Sequence, residues 1–440
     1  MRSTRNERIG WYFYDWANSV FYTSVVTVFL GPYLTTIAKA SAGADGFLHP
    51  FGIPISPASF FPYIISFSVL LQFLFLPLFG SLADFTQKKK LLLGVFAYIG
   101  ALSTMGLYFV ESSNYYLGGI LFIIANFSFG ISSVMYNAYL NEIAEPSRRD
   151  AVSSIGWAFG YLGGGVLLAI NLVIVMNASA LNISTAFAIR ICLLSAGTWW
   201  ALFTIVPMLL LRSHTKKRIL PKGENLIKIG FKELFKTIKN ARNYPKTVIF
   251  LIAFLLYNDG VQSVIALAAV FGQEELKMDI STLTIIILMV QFVAFGGSLL
   301  FQFISKQTGT KNAILISILI WIGAIIYAYS FLRTETGFFI LAAVIGIVLG
   351  STQALSRSLY SQLIPFGKEA EYFSLYEISD KGTSWLGPLV FGLALQFTGS
   401  YRLAILSLLV FFIIGFTMLW QLNIEDAIKK MPVQISPDIT

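Results

Sequence analysis

Residues that build metal sites and disulfides are scarce in this sequence. It has two histidines and one cysteine in 440 residues, too few for a transition-metal site, and a single cysteine excludes an intrachain disulfide. The phosphate-binding glycine-rich loop that ends in Gly-Lys-Ser or Gly-Lys-Thr is also absent, which argues against ATP as an energy source for this chain. We therefore expect no metal, no cofactor and no enzymatic activity.

Charged residues are scarce as well. They make up 12% of the chain, whereas 56% is hydrophobic and the mean hydropathy is +0.73; a soluble domain carries about 25% charged residues. This composition predicts a polytopic membrane protein. The first apolar segment follows a basic N-terminus but is long and contains Asp15 and Asn18, so we interpret it as a retained helix rather than a cleaved signal peptide.

Apolar runs of spanning length predict an all-α membrane protein with twelve transmembrane helices in two six-helix pseudo-repeats. The predicted domains are an N-terminal half (1–211), a basic cytoplasmic linker (212–245) and a C-terminal half (246–440). The runs fall at about 11–38, 58–82, 90–110, 115–141, 151–176, 184–211, 246–272, 281–304, 312–332, 337–364, 371–398 and 401–422. Parallel repeats of this kind are typical of the major facilitator architecture.

The net charge of +9 reflects membrane topology rather than nucleic-acid binding. Most Lys and Arg residues lie in loops on one side of the predicted spans, so the positive-inside rule places both termini and the linker in the cytoplasm. Within the linker, an amphipathic helix on the lipids of the inner leaflet is predicted from the apolar residues Leu226, Ile229, Leu234 and Ile238.

Ionisable groups inside the apolar runs are the first candidates for function, because charges at membrane depth usually face a cavity or the protein interior. On the tenth run, Gln353 and Arg357 share one helical stripe, and Glu377 and Lys381 share another on the eleventh. Together they predict a path lined for a polar solute. The structural alternative is that Glu377 and Lys381 form an i, i+4 pair that only stabilises the helix.

Other polar groups extend this prediction to the rest of the chain. Asp15 and Asn18 share an inward stripe of the first helix, and Asn137 lies on a polar stripe of the fourth. Asp15 is predicted to pair with Arg357 or Lys381 in one conformation and to be released in the other, although a fixed ion pair is an equal alternative.

Two of these predictions have simple structural alternatives. Asp259, about a dozen residues into the seventh run, is a candidate proton carrier; alternatively, it accepts hydrogen bonds from neighbouring hydroxyl groups. Asn137 would contact the solute, or it would only join two helices by a hydrogen bond.

A loop motif after the second run carries a first resemblance. The sequence Gly80-Ser-Leu-Ala-Asp84-Phe85-Thr-Gln87-Lys-Lys89 resembles the major facilitator pattern Gly-x-Leu-Ala-Asp-Arg-x-Gly-Arg-Lys. Gly80 would allow close helix approach, and Asp84 would be a conformational switch held by a helix N-terminus or an Arg in one of two states. Phe85 and Gln87 depart from the pattern.

Longer strings resemble the vacuole-effluxer-like branch of the major facilitator superfamily. They begin at Trp11 (WYFYDWANS), Ser154 (SIGWAFGYLGG), Gln353 (QALSRS), Glu371 (EYFSLY) and Ser384 (SWLGP). The branch is named for fungal proteins linked to autophagy and amino-acid export from the vacuole. The resemblance implies a transporter fold and export, and the short termini are similar to those of bacterial members.

We therefore expect a monomeric secondary transporter in a bacterial inner membrane that moves a small polar or zwitterionic solute, such as an amino acid, by alternating access with H⁺ as the coupling ion. The solute's carboxylate would lie near Arg357, because guanidinium groups bind planar anions with two donors. Two alternatives stay open: an exporter of lipid or amphipathic drug-like compounds, favoured by the aromatic residues, and a receptor of the same fold that transports nothing.

Overall fold

The structure is a computed structural model that describes residues 5–111, 114–212, 244–365, 367–381 and 386–429. A π-helix, Phe21–Phe29, joins α1 to α2. The α-helices are α1 (Arg5–Val20), α2 (Leu30–Ala40), α3 (Pro57–Thr86), α4 (Lys89–Gly106), α5 (Tyr115–Ala138), α6 (Leu140–Ile143), α7 (Arg149–Met176), α8 (Thr185–Leu210), α9 (Pro245–Leu276), α10 (Ile280–Thr308), α11 (Thr310–Ser330), α12 (Glu335–Gln362), α13 (Glu369–Lys381), α14 (Leu386–Thr398), α15 (Tyr401–Ser407), α16 (Leu409–Gln421) and α17 (Ile424–Lys429).

The prediction of an all-α membrane protein with twelve spans is confirmed in outline. Within the described ranges, eleven helical stretches are long and apolar enough to cross a membrane, and each coincides with one predicted run. The remaining predicted run, 371–398, is divided between α13 and α14, and residues 382–385 between them lie outside the described residues. The linker segment 213–243, with its predicted amphipathic helix, also lies outside them.

The two halves of the chain meet along several helices. In the first half, α7 lies against α10 and α12 of the second half, and α3 and α5 lie against α13. The helices α7, α10 and α12 are each long enough to span a membrane. The space between the halves is therefore bordered in part by these helices.

Glycine allows a close helix crossing within the second half. A Cβ atom at Gly297 of α10 would overlap the backbone carbonyl oxygen of Ile347 in α12, whereas a Cβ at the adjacent Gly296 would meet nothing within 4 Å. Backbone atoms cannot move aside as a flexible side chain can. Gly297 therefore fixes the distance between α10 and α12, and Gly296 does not.

We predict that Gly297→Ala destabilises the protein by about 1–3 kcal/mol, the usual cost of overpacking a well-packed interior. Thermal unfolding of the purified protein in detergent would measure the loss. Gly296→Ala is the matched control and is expected to keep the unfolding temperature of the parent. Equal unfolding temperatures for the two variants would contradict the close contact at Gly297.

Candidate functional site

A cavity of about 320 Å³ lies between the two halves and has two unlike walls. The first half lines it mainly with polar side chains, among them Asp15, Asn18, Ser19, Tyr22, Thr23, Thr27, Ser133 and Asn137. The second half lines it mainly with apolar side chains, among them Val264, Ile265, Phe271, Leu283, Ile286, Val290, Phe338 and Leu341. Four charged side chains from both halves meet at one end of the cavity, which we call its floor. They are those of Asp15, Arg357, Glu377 and Asp380.

Arg357 of α12 is the centre of this floor and is 2% exposed. Its Nη1 lies 3.5 Å from Oδ2 of Asp15 and donates a hydrogen bond of 3.1 Å to Oδ1 of Asn137. Its Nε and Nη2 donate to the hydroxyl and carbonyl oxygens of Ser153, both at 2.9 Å. All of these partners belong to the first half, so one buried cation joins α12 to α1, α5 and α7.

Aromatic rings enclose the Arg357 guanidinium. It lies 4.7 Å from the ring centroid of Trp11 and 5.4 Å from those of Tyr136 and Trp157. Trp11 and Tyr136 stack at 4.3 Å, and the Tyr136 hydroxyl donates to Oδ2 of Asp15 at 2.6 Å. The cation is therefore stabilised by ring faces as well as by charge, and Asp15 is oriented by a second donor.

Asn137 connects the two charged stripes that the sequence predicts. Its Oδ1 accepts from Arg357, and its Nδ2 donates to Oε1 of Glu377 at 2.6 Å. Asp380, one turn beyond Glu377 on α13, accepts from Nδ2 of Asn258 at 2.8 Å. The structure thus brings Asp15, Asn137, Arg357 and Glu377 into one hydrogen-bonded cluster across the halves.

The other predicted site residues lie at different distances from this cluster. Gln353 lines the cavity and accepts from the Tyr161 hydroxyl at 3.1 Å, and Asn18 is a buried cavity residue. Asp259 is buried and does not line the cavity; a Cβ at Gly387 would lie 3.2 Å from its Oδ2. The Lys381 side chain lies outside what the structure describes.

A second cluster ties the halves at the end of the molecule where α3 ends and α4 begins, which we call the tied end. Oδ2 of Asp84 accepts from the backbone N–H of Glu371 in the first turn of α13, at 2.8 Å. A Cβ at Gly80 would lie 2.5 Å from the carbonyl oxygen of Ala370. Gly80 and Asp84 therefore sit directly against the N-terminus of α13, where the helix dipole favours a carboxylate.

The cation of the tied end is Lys89, which sequence reasoning had placed in a basic loop. It is 1% exposed, and its Nζ lies 3.1 Å from Asp84, 2.9 Å from Glu142 and 3.1 Å from Glu369. Three carboxylates from α3, α6 and α13 thus surround one ammonium group. Sequence reasoning missed Lys89, Glu142 and Glu369, and the only signal in the sequence was the position of Lys89 directly after the loop motif.

Further bonds close the tied end between α7 and the second half. Arg149 donates to the carbonyl oxygen of Ser361 at 2.8 Å, and Asp150 accepts from the Ser358 hydroxyl at 2.6 Å and from the Thr310 hydroxyl at 2.7 Å. No comparable group of bonds between the halves is found among the described residues at the opposite end. The cavity reaches toward that opposite end, to Phe271, Leu283 and Phe338.

Solved structures share this architecture. The chain aligns with a bacterial homologue of the iron transporter ferroportin in an outward-facing state at a TM-score of 0.67 and 12% identity, covering 94% of this chain and 98% of the other. It aligns with a proton:xylose symporter of the major facilitator superfamily at a TM-score of 0.68 and 12% identity, covering 94% of each chain. At these identities the likeness shows the fold alone.

Sequence relatives identify the family. The chain is 31% identical over 421 residues to the MFS-type transporter YxiO of Bacillus subtilis (strain 168), covering 95% of both chains. It is 29% identical to Autophagy-related protein 22 of Yarrowia lipolytica, covering 86% of this chain and 78% of the relative. Residues 3–431 match the family described as vacuole effluxer Atg22 like. The chain is therefore a multi-pass membrane transporter of the major facilitator superfamily, and it belongs to the vacuole effluxer Atg22-like family.

Proposed function

We propose that this transporter moves a small zwitterionic solute with an apolar portion, such as an amino acid with an apolar side chain, by alternating access. The observation that carries the proposal is the cavity between the halves, which combines a charged floor with one apolar wall. An ammonium group would bind at Asp15 or Asp380, and the apolar portion would lie along the second-half wall. Transporters of this class bind their solutes between the two halves near mid-membrane.

The charged floor of the cavity favours such a solute over a lipid. The cavity volume of about 320 Å³ is ample for a solute of amino-acid size, since one bound water needs about 10–15 Å³ measured in this way. The acyl chains of a lipid would gain nothing from Asp15, Arg357, Glu377 and Asp380. An amphipathic drug-like compound stays a second candidate, because the apolar wall extends from Leu349 to Phe338.

Binding and conformational change would be linked through Arg357. In this conformation, its N–H groups are engaged by Ser153, Asn137 and Asp15. A solute carboxylate would reach the guanidinium by displacing Asp15, which would loosen the link between α1 and α12. The solute would thereby act on the equilibrium between conformations, because it changes contacts that differ between them.

The conformation described here would be the one open to the outside. Most loops with Lys and Arg residues lie at the tied end, so the positive-inside rule puts that end in the cytoplasm. Export, which the family name favours, would then require loading in the opposite conformation. The bacterial relative favours a bacterial cell membrane as the location.

Asp259 is the group we propose as the proton carrier. It is 1% exposed, and among the described residues no side chain donates to either carboxylate oxygen; the backbone N–H of Gly387 is the donor beside it. A buried carboxylate with so little hydrogen bonding is costly, so binding a proton would stabilise it. Asp259 lies on α9, beside Gly387 of α14 and outside the cavity. Its protonation would therefore be coupled to movement of these helices rather than to contact with the solute.

The first test is transport by the purified protein in liposomes with a panel of amino acids and amphipathic amines. We predict exchange of an amino acid with an apolar side chain, and a loss of about 10- to 150-fold in rate for Asp15→Asn, the range expected when a hydrogen bond to a charged group is lost. The control is Asp279→Asn, an exposed carboxylate outside the cavity. Full exchange by Asp15→Asn would contradict the floor's role.

Failure of the panel is also informative. Exchange of amphipathic amines alone would favour the second candidate. Solute binding without exchange of any compound would support the receptor alternative and reject transport.

Proton coupling predicts a specific loss in Asp259→Asn. An amide cannot release a proton, so the variant is expected to exchange solute across the membrane yet to lose accumulation driven by an imposed pH gradient. Flux with and without the gradient would be measured in the same liposomes. Asp259→Glu, which keeps a titratable group, is the control, and an unchanged gradient response in Asp259→Asn would remove Asp259 as the carrier.

The tied end predicts a shift in conformation when its cation is removed. Lys89→Met leaves three buried carboxylates without their shared ammonium, so the halves are expected to separate at this end. Electron-spin distance measurements between labels on Lys88→Cys and Lys306→Cys, exposed positions in opposite halves, would show a longer distance.

Lys90→Met is the matched control, because the one bond of Lys90 among the described residues is to Leu211 of its own half. The same distance distribution in Lys89→Met as in this control would contradict the role of Lys89.

A further inference from the structure

The first membrane helix changes its winding where it passes the cavity. Residues Phe21–Phe29 form a π-helix, and the helices before and after it are α-helical. The segment itself, FYTSVVTVF, contains neither proline nor glycine. Gly31 and Pro32 follow shortly after it, and Pro32 has no N–H to offer the carbonyl oxygen of Val28, four residues earlier, so the proline favours a change of winding here. π-Helical turns inside α-helices are rare and occur often at functional sites.

The π-helix changes which side chains face the cavity. In a continuous α-helix, the residues that follow Ser19 on one stripe are Tyr22, Thr23 and Val26, at i+3, i+4 and i+7. The structure instead places Tyr22, Thr23 and Thr27 in the cavity wall. Val26 is partly buried against the core and does not line the cavity. The wider turn thus exchanges a valine for a threonine at this position.

Contacts in and around the segment stabilise this winding. The Thr27 hydroxyl donates to the carbonyl oxygen of Tyr22, five residues earlier, at 2.9 Å. On the opposite side, a Cβ at Gly164 of α7 would lie 2.7 Å from Oγ1 of Thr23. A side chain at Gly164 would therefore push this turn away from α7. In this winding Tyr22 and Thr27 are exposed, and Tyr22 is 47% exposed.

The wall opposite these residues offers no hydroxyl groups of its own over much of its length. It consists there of Val264, Ile265, Ile286, Val290, Leu341 and Ile345. A solute anchored at the charged floor would meet this wall on one side and the π-helix on the other. The π-helix supplies Tyr22, Thr23 and Thr27 to the first-half wall, beside the hydroxyl groups of Ser19, Ser133 and Tyr161; the second-half wall also carries the amides of Gln262 and Gln291.

We propose that the π-helix makes Tyr22 and Thr27 specificity-determining residues, which select solutes with a hydrogen-bonding group along an otherwise apolar portion. This inference rests on the proposed transport path and names the solute class more closely. A solute that is aliphatic beyond its charged end would bury its chain equally well against the second-half wall. It would offer nothing to the Tyr22 hydroxyl or to the oxygen of Thr27, whose proton is donated to the Tyr22 carbonyl oxygen. A site discriminates against a solute that leaves one of its buried polar groups without a hydrogen bond, because that solute binds more weakly than one that makes the bond.

The winding can be tested without any solute. Single cysteines at Thr27→Cys and Val26→Cys, in a Cys192→Ala background, would be reacted with a water-soluble methanethiosulfonate in nanodiscs. We expect Thr27→Cys to react at least ten times faster than Val26→Cys, with Tyr22→Cys as the accessible control and Val25→Cys, a fully buried position, as the inaccessible one. Equal rates at 26 and 27, or a faster rate at 26, would overturn the π-helical register.

Selectivity is tested by transport with Thr27→Val, which removes the hydroxyl and keeps the shape. We expect KM to rise by about 2- to 10-fold for solutes with a hydroxyl or amide along the apolar portion, the range for one lost hydrogen bond, and to stay constant for aliphatic solutes of equal length. Thr36→Val, on the same helical stretch outside the cavity wall, is the matched control.

The two measurements separate the possible failures. An unchanged KM for every solute, with Thr27→Cys still reactive, would overturn the role in selectivity and leave both the register and the transport path standing. Reactive Thr27→Cys in a protein that transports no solute at all would reject the proposed function and, with it, the selectivity proposal.

Discussion

The structure depends on how one guanidinium group is kept inside a membrane protein. Arg357 is 2% exposed, and an unpaired charge at that depth would be too costly to retain. Its second-half helix supplies no carboxylate; instead Asp15, Asn137 and Ser153 of the first half supply the acceptors. Arg357 can therefore stay buried only while α12 lies against α1, α5 and α7 as it does here. Pairing this one charge thus restricts the position of the second half relative to the first.

A second buried cation, at the tied end, also depends on acceptors from the opposite half. Lys89 belongs to the first half, and Glu369 of the second half lies 3.1 Å from its Nζ. The N-terminus of α13, which also carries Glu369, binds Asp84 through its backbone, and Glu377 on the same helix bonds to Asn137 near Arg357. One short helix thus contacts both clusters, so a movement of α13 changes the two together.

Sequence reasoning reached the apolar runs, the two halves and the family because these depend on composition, spacing and long motif strings. Pairing was harder to predict. Lys89 was assigned to a loop because it stands in a run of three lysines, and only the packing of α3, α6 and α13 around it shows that it is buried. The π-helix was not predicted, since FYTSVVTVF carries no proline or glycine of its own. Pro32, three residues after it, signals a disturbed hydrogen bond at Val28, but a proline does not say whether the helix bends there or widens into a π-helix.

The division of chemistry between the two walls has a mechanical consequence. The hydroxyl groups of the cavity come mainly from α1, the π-helix and α5, whereas the second half supplies most of the apolar surface together with three of the four charged groups of the floor, Arg357, Glu377 and Asp380. Apolar contact is non-directional, so under the proposed function a solute would slide along the apolar part of the second-half wall at little cost, while its polar groups would be held at the floor by both halves. When the halves rock, the contacts of the solute at the floor would have to change. The link between Arg357 and Asp15 would be one of the contacts that this relative movement breaks.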